Sequence, residues 1–269
     1  MAVYLLGNAT TSQMFGFVIN VTRKTIIFDG GTVGDAQQLE NFIMEQCNGK
    51  VDAWFFTHPH HDHIGAFCEL CRKDVRFNIK NIYHCFPSVE SLQKYGKRNE
   101  CEALLWRDIK FFFENKFIGR VHRIKQGEYF RFKNVAIKVL RVFNENITTN
   151  YLNNSSAVYR VEVSGNSFLI LGDLGIEGGE ELMRICPLVD LQTDYTQMAH
   201  HGQNGVSKQF YEYIKPKRCI WPTPVWLWNN DIGNGFDSGP FQTVRTREWM
   251  QNLGVVENWI EKDGIQRII

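Results

Sequence analysis

Thr57, His58, Pro59, His60, His61, Asp62 and His63 put four histidines and an aspartate into seven consecutive residues, half of the eight histidines in the chain. Imidazole and carboxylate donors without thiolate suit a borderline or hard divalent cation that keeps open positions, Zn2+ first and Mn2+ or Fe2+ as substitutes. An apolar stretch, Val51 to Phe56, leads into the run, and a helical pattern from Ile64 to Arg72 leaves it. Residues two apart in an extended segment point the same way, so His58 and His60 can share one ion. Asp62 and His63 lie where the chain turns into the helix; their side chains leave in another direction and suit a second ion. The spacing is that of a dinuclear catalytic site. His61 points away from its neighbours and is expected behind the ligands or at the surface.

The pattern Thr-His-x-His-x-Asp-His after an apolar strand resembles the metallo-β-lactamase superfamily of binuclear metallohydrolases. In its company, the strand ending Phe168, Leu169, Ile170, Leu171, Gly172, Asp173 gains a meaning. Two divalent ions close together need a shared anion to offset their repulsion, and Asp173 at the strand end is the predicted bridge. Next comes a strand read over Tyr195 to Ala199, followed by His200, His201 and Gly202. The resemblance implies a terminal ligand of the second ion at such a strand end. His200 is the expected ligand and His201 an outer group, proton shuttle or substrate contact, with the reverse assignment open. Asp62 and His201 are the residues expected to take part in catalysis. The strand Thr25 to Phe28 ends in Asp29, Gly30, Gly31, and Asp29 is expected to organise the metal-binding loop without ligating, or to be an ordinary turn aspartate.

The resemblance also implies a further histidine between the first motif and the bridging aspartate. Only His84, in an early strand, and His122 lie there, and neither fits. Asn153, Asn154, Ser155, Ser156 stand instead before the two strands that end in Gly172 and Asp173. The order of these motifs, closing with Glu261, Lys262, Asp263, Gly264, Ile265, resembles the soluble hydrolase domain of ComEC-like DNA-uptake proteins and their free-standing relatives over roughly His58 to Ile269. That resemblance makes Asn153 a weak ligand of the first ion or the holder of a water in its place, a turn asparagine being the plain alternative.

With two divalent ions a water shared between them would lose its proton near neutral pH and serve as a metal-bound hydroxide nucleophile. Esters, lactones, thioesters, amides and phosphodiesters are all open to such a centre. The resemblance points to a phosphodiester or related ester, with a choline-like head group among the possible substrates. An iron-binding redox member and a non-catalytic scaffold are the rival readings. Substrate selection is expected in the loops, where Trp221, Trp226 and Trp228 offer an aromatic wall, core packing being the rival role.

The elements that must position these residues fill 269 residues without a linker, so residues 1–269 read as a single hydrolase domain. Strand-rich halves, each closing with helices, predict an α+β fold: an αββα four-layer sandwich of two mixed sheets with helices on the outer faces. One long helix is read from Val89 to about Asn115, with most of its apolar side chains in the core, and a final strand pair from Val255 to Ile260 and Ile265 to Ile269. A net charge of +1 gives no nucleic-acid footprint, and no apolar run has the length of a membrane span. The expected partner is a small-molecule or phosphodiester substrate and the expected location cytoplasmic. Seven cysteines, an odd number, predict reduced thiols, with Cys68 and Cys71 in the core.

Overall fold

The computed structural model describes residues 1–73, 76–96 and 100–269, with side chains for all of these but 100 and 101. Two seven-stranded sheets face each other. In the first the order is Gln266–Arg267, Ala2–Leu5, Gly16–Val21, Lys24–Asp29, Ala53–Phe55, Ile82–His84, Val121–Arg123. In the second it is Glu257–Ile260, Arg218–Trp221, Tyr195–Gln197, Asn166–Ile170, Val158–Val163, Val135–Arg141, Tyr129–Phe132. Each sheet joins an antiparallel half to a parallel half.

Alternation along the strands builds the layers, because successive side chains leave a strand on opposite faces. Phe17, Ile19, Ile26, Phe28, Ala53 and Phe55 face inward to meet Tyr159, Phe168 and Ile170 of the other sheet. The residues between them, Val18, Ile27 and Trp54, face outward to the helices Ala36–Gln46 and His61–Arg72. On the far side Leu169 and Leu171 meet the helices Ile176–Ile185 and Lys208–Ile214 through Leu182 and Phe210. Each such large apolar side chain, withdrawn from water, contributes about 1.5–3 kcal/mol. Helix, sheet, sheet and helix thus form four layers, the αββα sandwich expected from two strand-rich halves that each close with helices. Tyr159 Oη donates to the Phe56 carbonyl at 2.6 Å, pinning the sheets together just before the histidine motif.

Four local expectations are corrected. The helix read from Val89 to Asn115 is two, Val89–Tyr95 and Glu100–Asn115, and the part of that reading between 97 and 99 lies outside the described residues. The closing strands do not pair: Glu257–Ile260 runs parallel to Arg218–Trp221, while Gln266–Arg267 crosses to pair with Ala2–Leu5 of the other sheet. A tight turn at 261–263 and Gly264 at φ 86° redirect the chain between them. The stretch Asn144 to Asn154, polar and turn-prone as a sequence, ends in a short helix, Tyr151–Asn154. Finally, the strand before the histidine pair stops at Gln197, with consequences for the site.

The six cysteines whose side chains are described are free and buried, Cys68 and Cys71 among the helix-facing core. Among the described residues no helix is long and apolar enough to cross a membrane.

Candidate metal centre

The site lies where the two sheets end. Ala53–Phe55 runs out into the extended segment 57–60, and the helix His61–Arg72 starts on His60, whose carbonyl accepts from the His63 and Ile64 amides. His58 and His60 therefore precede the helix, while Asp62 and His63 occupy its first turn, where the helix dipole favours a carboxylate. All four are buried.

Asp173 comes from the other sheet. Gly172, just before it, has φ +57°, and a Cβ there would lie 2.8 Å from the Cβ of Thr57. Only glycine lets the two strand ends meet so closely. The Asp173 amide donates to Ser156 Oγ, and the buried Gln197 side chain bonds both the Leu171 and Gly172 amides and the Gly172 carbonyl. Behind Ser156 the buried Arg141 pairs with Glu181 at 2.7 Å and donates to the carbonyls of Asn154 and Ser156.

Donor atoms gather in two groups that share Asp173. In the first, His58 Nε2 lies 3.6 Å and His60 Nδ1 4.0 Å from Asp173 Oδ2, and the two ring nitrogens are 2.8 Å apart. In the second, His63 Nε2 lies 3.2 Å from Asp173 Oδ1, and His201 Nε2 is 3.2 Å from Asp62 Oδ2 and 3.4 Å from Asp173 Oδ2. Both Asp173 oxygens, His63 Nε2 and His201 Nε2 are buried without a hydrogen-bond partner. Such atoms cost free energy unless something compensates them. A divalent cation fits this donor set, since it meets lone pairs and carboxylate charge together. Burial opposes ionisation of Asp62 and Asp173, yet the surrounding histidines hold both carboxyls well below their usual range. Burial also pulls His63 down, but Asp173 and Asp29 outweigh it and carry this imidazole up to about 10.

The assignment of the adjacent histidines is reversed. His201 is fully buried beside Asp62 and Asp173, and its Nδ1 donates to the Pro222 carbonyl at 2.7 Å. The resemblance places the ligand two residues before the glycine, at His200; the strand has ended at Gln197, and it is His201 that joins Asp62, His63 and Asp173. Both residues adopt left-handed backbone, φ 51° and 56°, and their ring centres stand 6.2 Å apart. His200 Nε2 stands 3.9 Å from Asp173 Oδ2 and 3.4 Å from Asn153 Nδ2. Asn153 meets the site through His200. His61 is half exposed and pairs with Glu102 at 3.1 Å.

The aromatic wall is also corrected. Trp221 is 1% exposed, packs edge-on against Trp228 and donates to Asn258, so it belongs to the core. It ends the strand Arg218–Trp221, whose alternation puts it with Cys219 on the helix-facing side. Trp228 is capped by the Arg247 guanidinium 4.0 Å from its ring centre. Trp226 alone lines a surface cavity, of about 440 Å³, with Thr10, Thr11, Pro224 and Asp231.

Two functional neighbours escape the motif reading, Gln13, which donates to Asp62 at 2.9 Å, and the buried Gln197; the buried Ser156 and Glu261 are quoted within motifs but given no role there. Gln197 had a signal, a lone amide in the apolar run Tyr195 to Ala199.

The profile described as "Metallo-beta-lactamase superfamily" matches residues 13–74, the stretch that holds Asp29 and the whole histidine motif. Over that stretch the chain is similar to the metallo-β-lactamase superfamily. Its fold is the metallo-β-lactamase fold: the protein YhfI from Bacillus subtilis, a metallo-β-lactamase fold protein, superposes with a TM-score of 0.56 over 99% of this chain and 100% of that one, at 10% identity. The CmlA β-hydroxylase (E377D mutant) gives the same TM-score over 99% of this chain and 53% of that one, at 11% identity. In sequence, ComE operon protein 3 of Bacillus subtilis (strain 168) is 26% identical over 180 residues, 66% of this chain. The match spans 21% of that longer relative.

Proposed function

We propose that this metallo-β-lactamase relative is a binuclear, divalent-metal-dependent hydrolase acting on a phosphodiester or related ester, with Zn2+ the first choice of ion. The observation that carries the reading is the buried, unpaired Asp173 carboxylate set between two histidine groups. His58, His60 and one Asp173 oxygen would hold one ion; Asp62, His63, His201 and Asp173 would hold the other. Bound divalent ions supply an activated water near neutral pH and polarise the oxygen that takes up charge. The protein's own part is orientation. Asp173 sets the separation of the two groups, and the Pro222 carbonyl fixes the His201 tautomer so that Nε2 is the donor. Asp62 is held by Gln13 on one side and faces His201 on the other. The preference for a phosphodiester rests on the resemblance to the DNA-uptake hydrolase domains. A cytoplasmic location accords with six buried, unpaired cysteines.

Metal analysis and an assay on bis-p-nitrophenyl phosphate, a lactone and a thioester test the proposal together. The expected result is two equivalents of divalent metal and phosphodiester turnover that Asp173→Ala abolishes. Wild-type turnover no higher than that of Asp173→Ala on all three substrates would overturn it.

A further inference from the structure

We infer that His200 is the third nitrogen ligand of the ion held by His58 and His60, and that Asn153 positions its ring. The inference rests on the binuclear reading above and assigns a residue to that site which the motif reading sent to the other ion. The first group otherwise has three protein donors, His58, His60 and Asp173, all within 4.8 Å of one another. Neither histidine earlier in the chain reaches it. The His84 ring lies against Phe86 and Phe113, and the His122 ring stacks on Tyr83.

His200 is placed for the task by backbone, tautomer and distance. His200 and His201 share a left-handed backbone, and their ring centres stand 6.2 Å apart while each Nε2 faces Asp173 Oδ2, so adjacent residues can serve different ions. Non-glycine residues held in that region are strained, and such strain concentrates at functional sites. The His200 amide is anchored to the Gly172 carbonyl at 3.0 Å, one residue before Asp173. Its Nδ1 lies 3.1 Å from the Asn204 carbonyl, so Nδ1 carries the proton and Nε2 presents its lone pair. That Nε2 is 3.9 Å from Asp173 Oδ2, between the values for His58 and His60. Donors on one shell of radius ~2.1 Å stand up to about 4.2 Å apart, so the Asp173–His200 separation suits a shared ion. His200 lies outside the group whose donors are all within 4.8 Å of one another, so binding the ion requires its ring to shift and its Nε2 to exchange the Asn153 amide, 3.4 Å away, for the ion.

The test uses the full chain, stripped with chelator and titrated with Zn2+ by calorimetry, with bound metal counted by mass spectrometry. His200→Asn, which tolerates left-handed backbone, and His200→Ala should retain one tight equivalent and lose the second by 100-fold or more in affinity. His201→Asn should weaken the other site. Asn153→Ala should weaken the first site by about tenfold, the lower end for a residue that orients a ligand. Circular dichroism of the stripped proteins separates loss of a ligand from loss of fold. If the wild type binds two ions and a folded His200 variant binds both within threefold of it, the inference is overturned and His200 is a substrate contact instead. If the wild type itself binds fewer than two, the binuclear reading fails and this one falls with it.

Discussion

His63 Nδ1 and Asp29 Oδ2 are 2.7 Å apart in a fully buried contact, with the opposite ring nitrogen of His63 turned to Asp173. Asp29 also accepts from the Thr57 amide at 2.8 Å and the Thr57 hydroxyl at 2.5 Å, so one carboxylate fixes both the start of the histidine segment and the ring at its end. A carboxylate behind a ligating imidazole sets its tautomer and raises its basicity. Asp29 sits at φ 53°, a backbone that asparagine accepts. Asp29→Asn should therefore keep the fold while weakening metal affinity about 10- to 100-fold, measured by competition with a chromophoric chelator. An unchanged affinity would show that the pair is only structural.

The same contact predicts how the metal-free protein responds to pH. His63 is carried up to about 10 in the folded state from an ordinary 6.5. A histidine raised on folding contributes stability that is complete below 6.5 and is lost progressively as pH rises toward 10. Burial holds His58 and His200 below 6.5, which works in the opposite sense: stability falls as pH drops below that value. The chelated protein should thus melt highest near pH 6 to 7, with Tm declining on both sides. His63→Gln should lessen the alkaline decline, to which His201, held well above 6.5 by Asp173 and Asp62 against burial, also contributes, and saturating Zn2+ should flatten it while binding more tightly as pH rises. A Tm that is level from pH 6.5 to 9 in chelator would contradict the pairing.

Near-continuous apolar runs such as Phe15 to Val21 and Phe168 to Leu171, suited to strands buried on both faces, and the strand-rich start of each half make the four-layer sandwich legible in the sequence. The histidine motif and the aspartate after Gly172 are equally legible, because spacing of two along an extended segment is a local property. What the sequence hides is non-local or conformational. Nothing in Ala199 to Gly202 announces two successive left-handed residues, so the roles of His200 and His201 could not be read from strand alternation. Trp221, Trp226 and Trp228 look alike as a string, yet a strand end buries the first, an arginine covers the last and the middle one faces a cavity. Gln13 reaches Asp62 from 49 positions away.

That reach makes Gln13 a test of how the site is oriented. Its amide nitrogen donates to Asp62 Oδ2 at 2.9 Å, and its oxygen accepts from Gln203 at 3.0 Å, so the loop before the second strand is tied to the loop after His201. Removing the amide should leave the donor groups in place but free Asp62 to turn. Gln13→Ala is expected to retain both metal equivalents and to lower kcat about tenfold or more, since small misplacement at a reacting centre is costly. Loss of metal instead would move Gln13 from orientation to assembly of the site.

The tryptophans separate packing from recognition. Trp221 is fully enclosed, and truncating a buried aromatic side chain costs about 3–5 kcal/mol. Trp221→Ala should show that loss in urea unfolding. Trp226 is partly exposed beside Thr11 and lines a cavity flanked by the loop that carries Gln13. Trp226→Ala should change stability by under about 1 kcal/mol, the loss of one hydrogen bond and partial burial, and raise KM for substrates with a large leaving or head group more than for small ones. If KM is indifferent to substrate size in Trp226→Ala, recognition lies elsewhere on the rim and the cavity beside Thr11 plays no part in it.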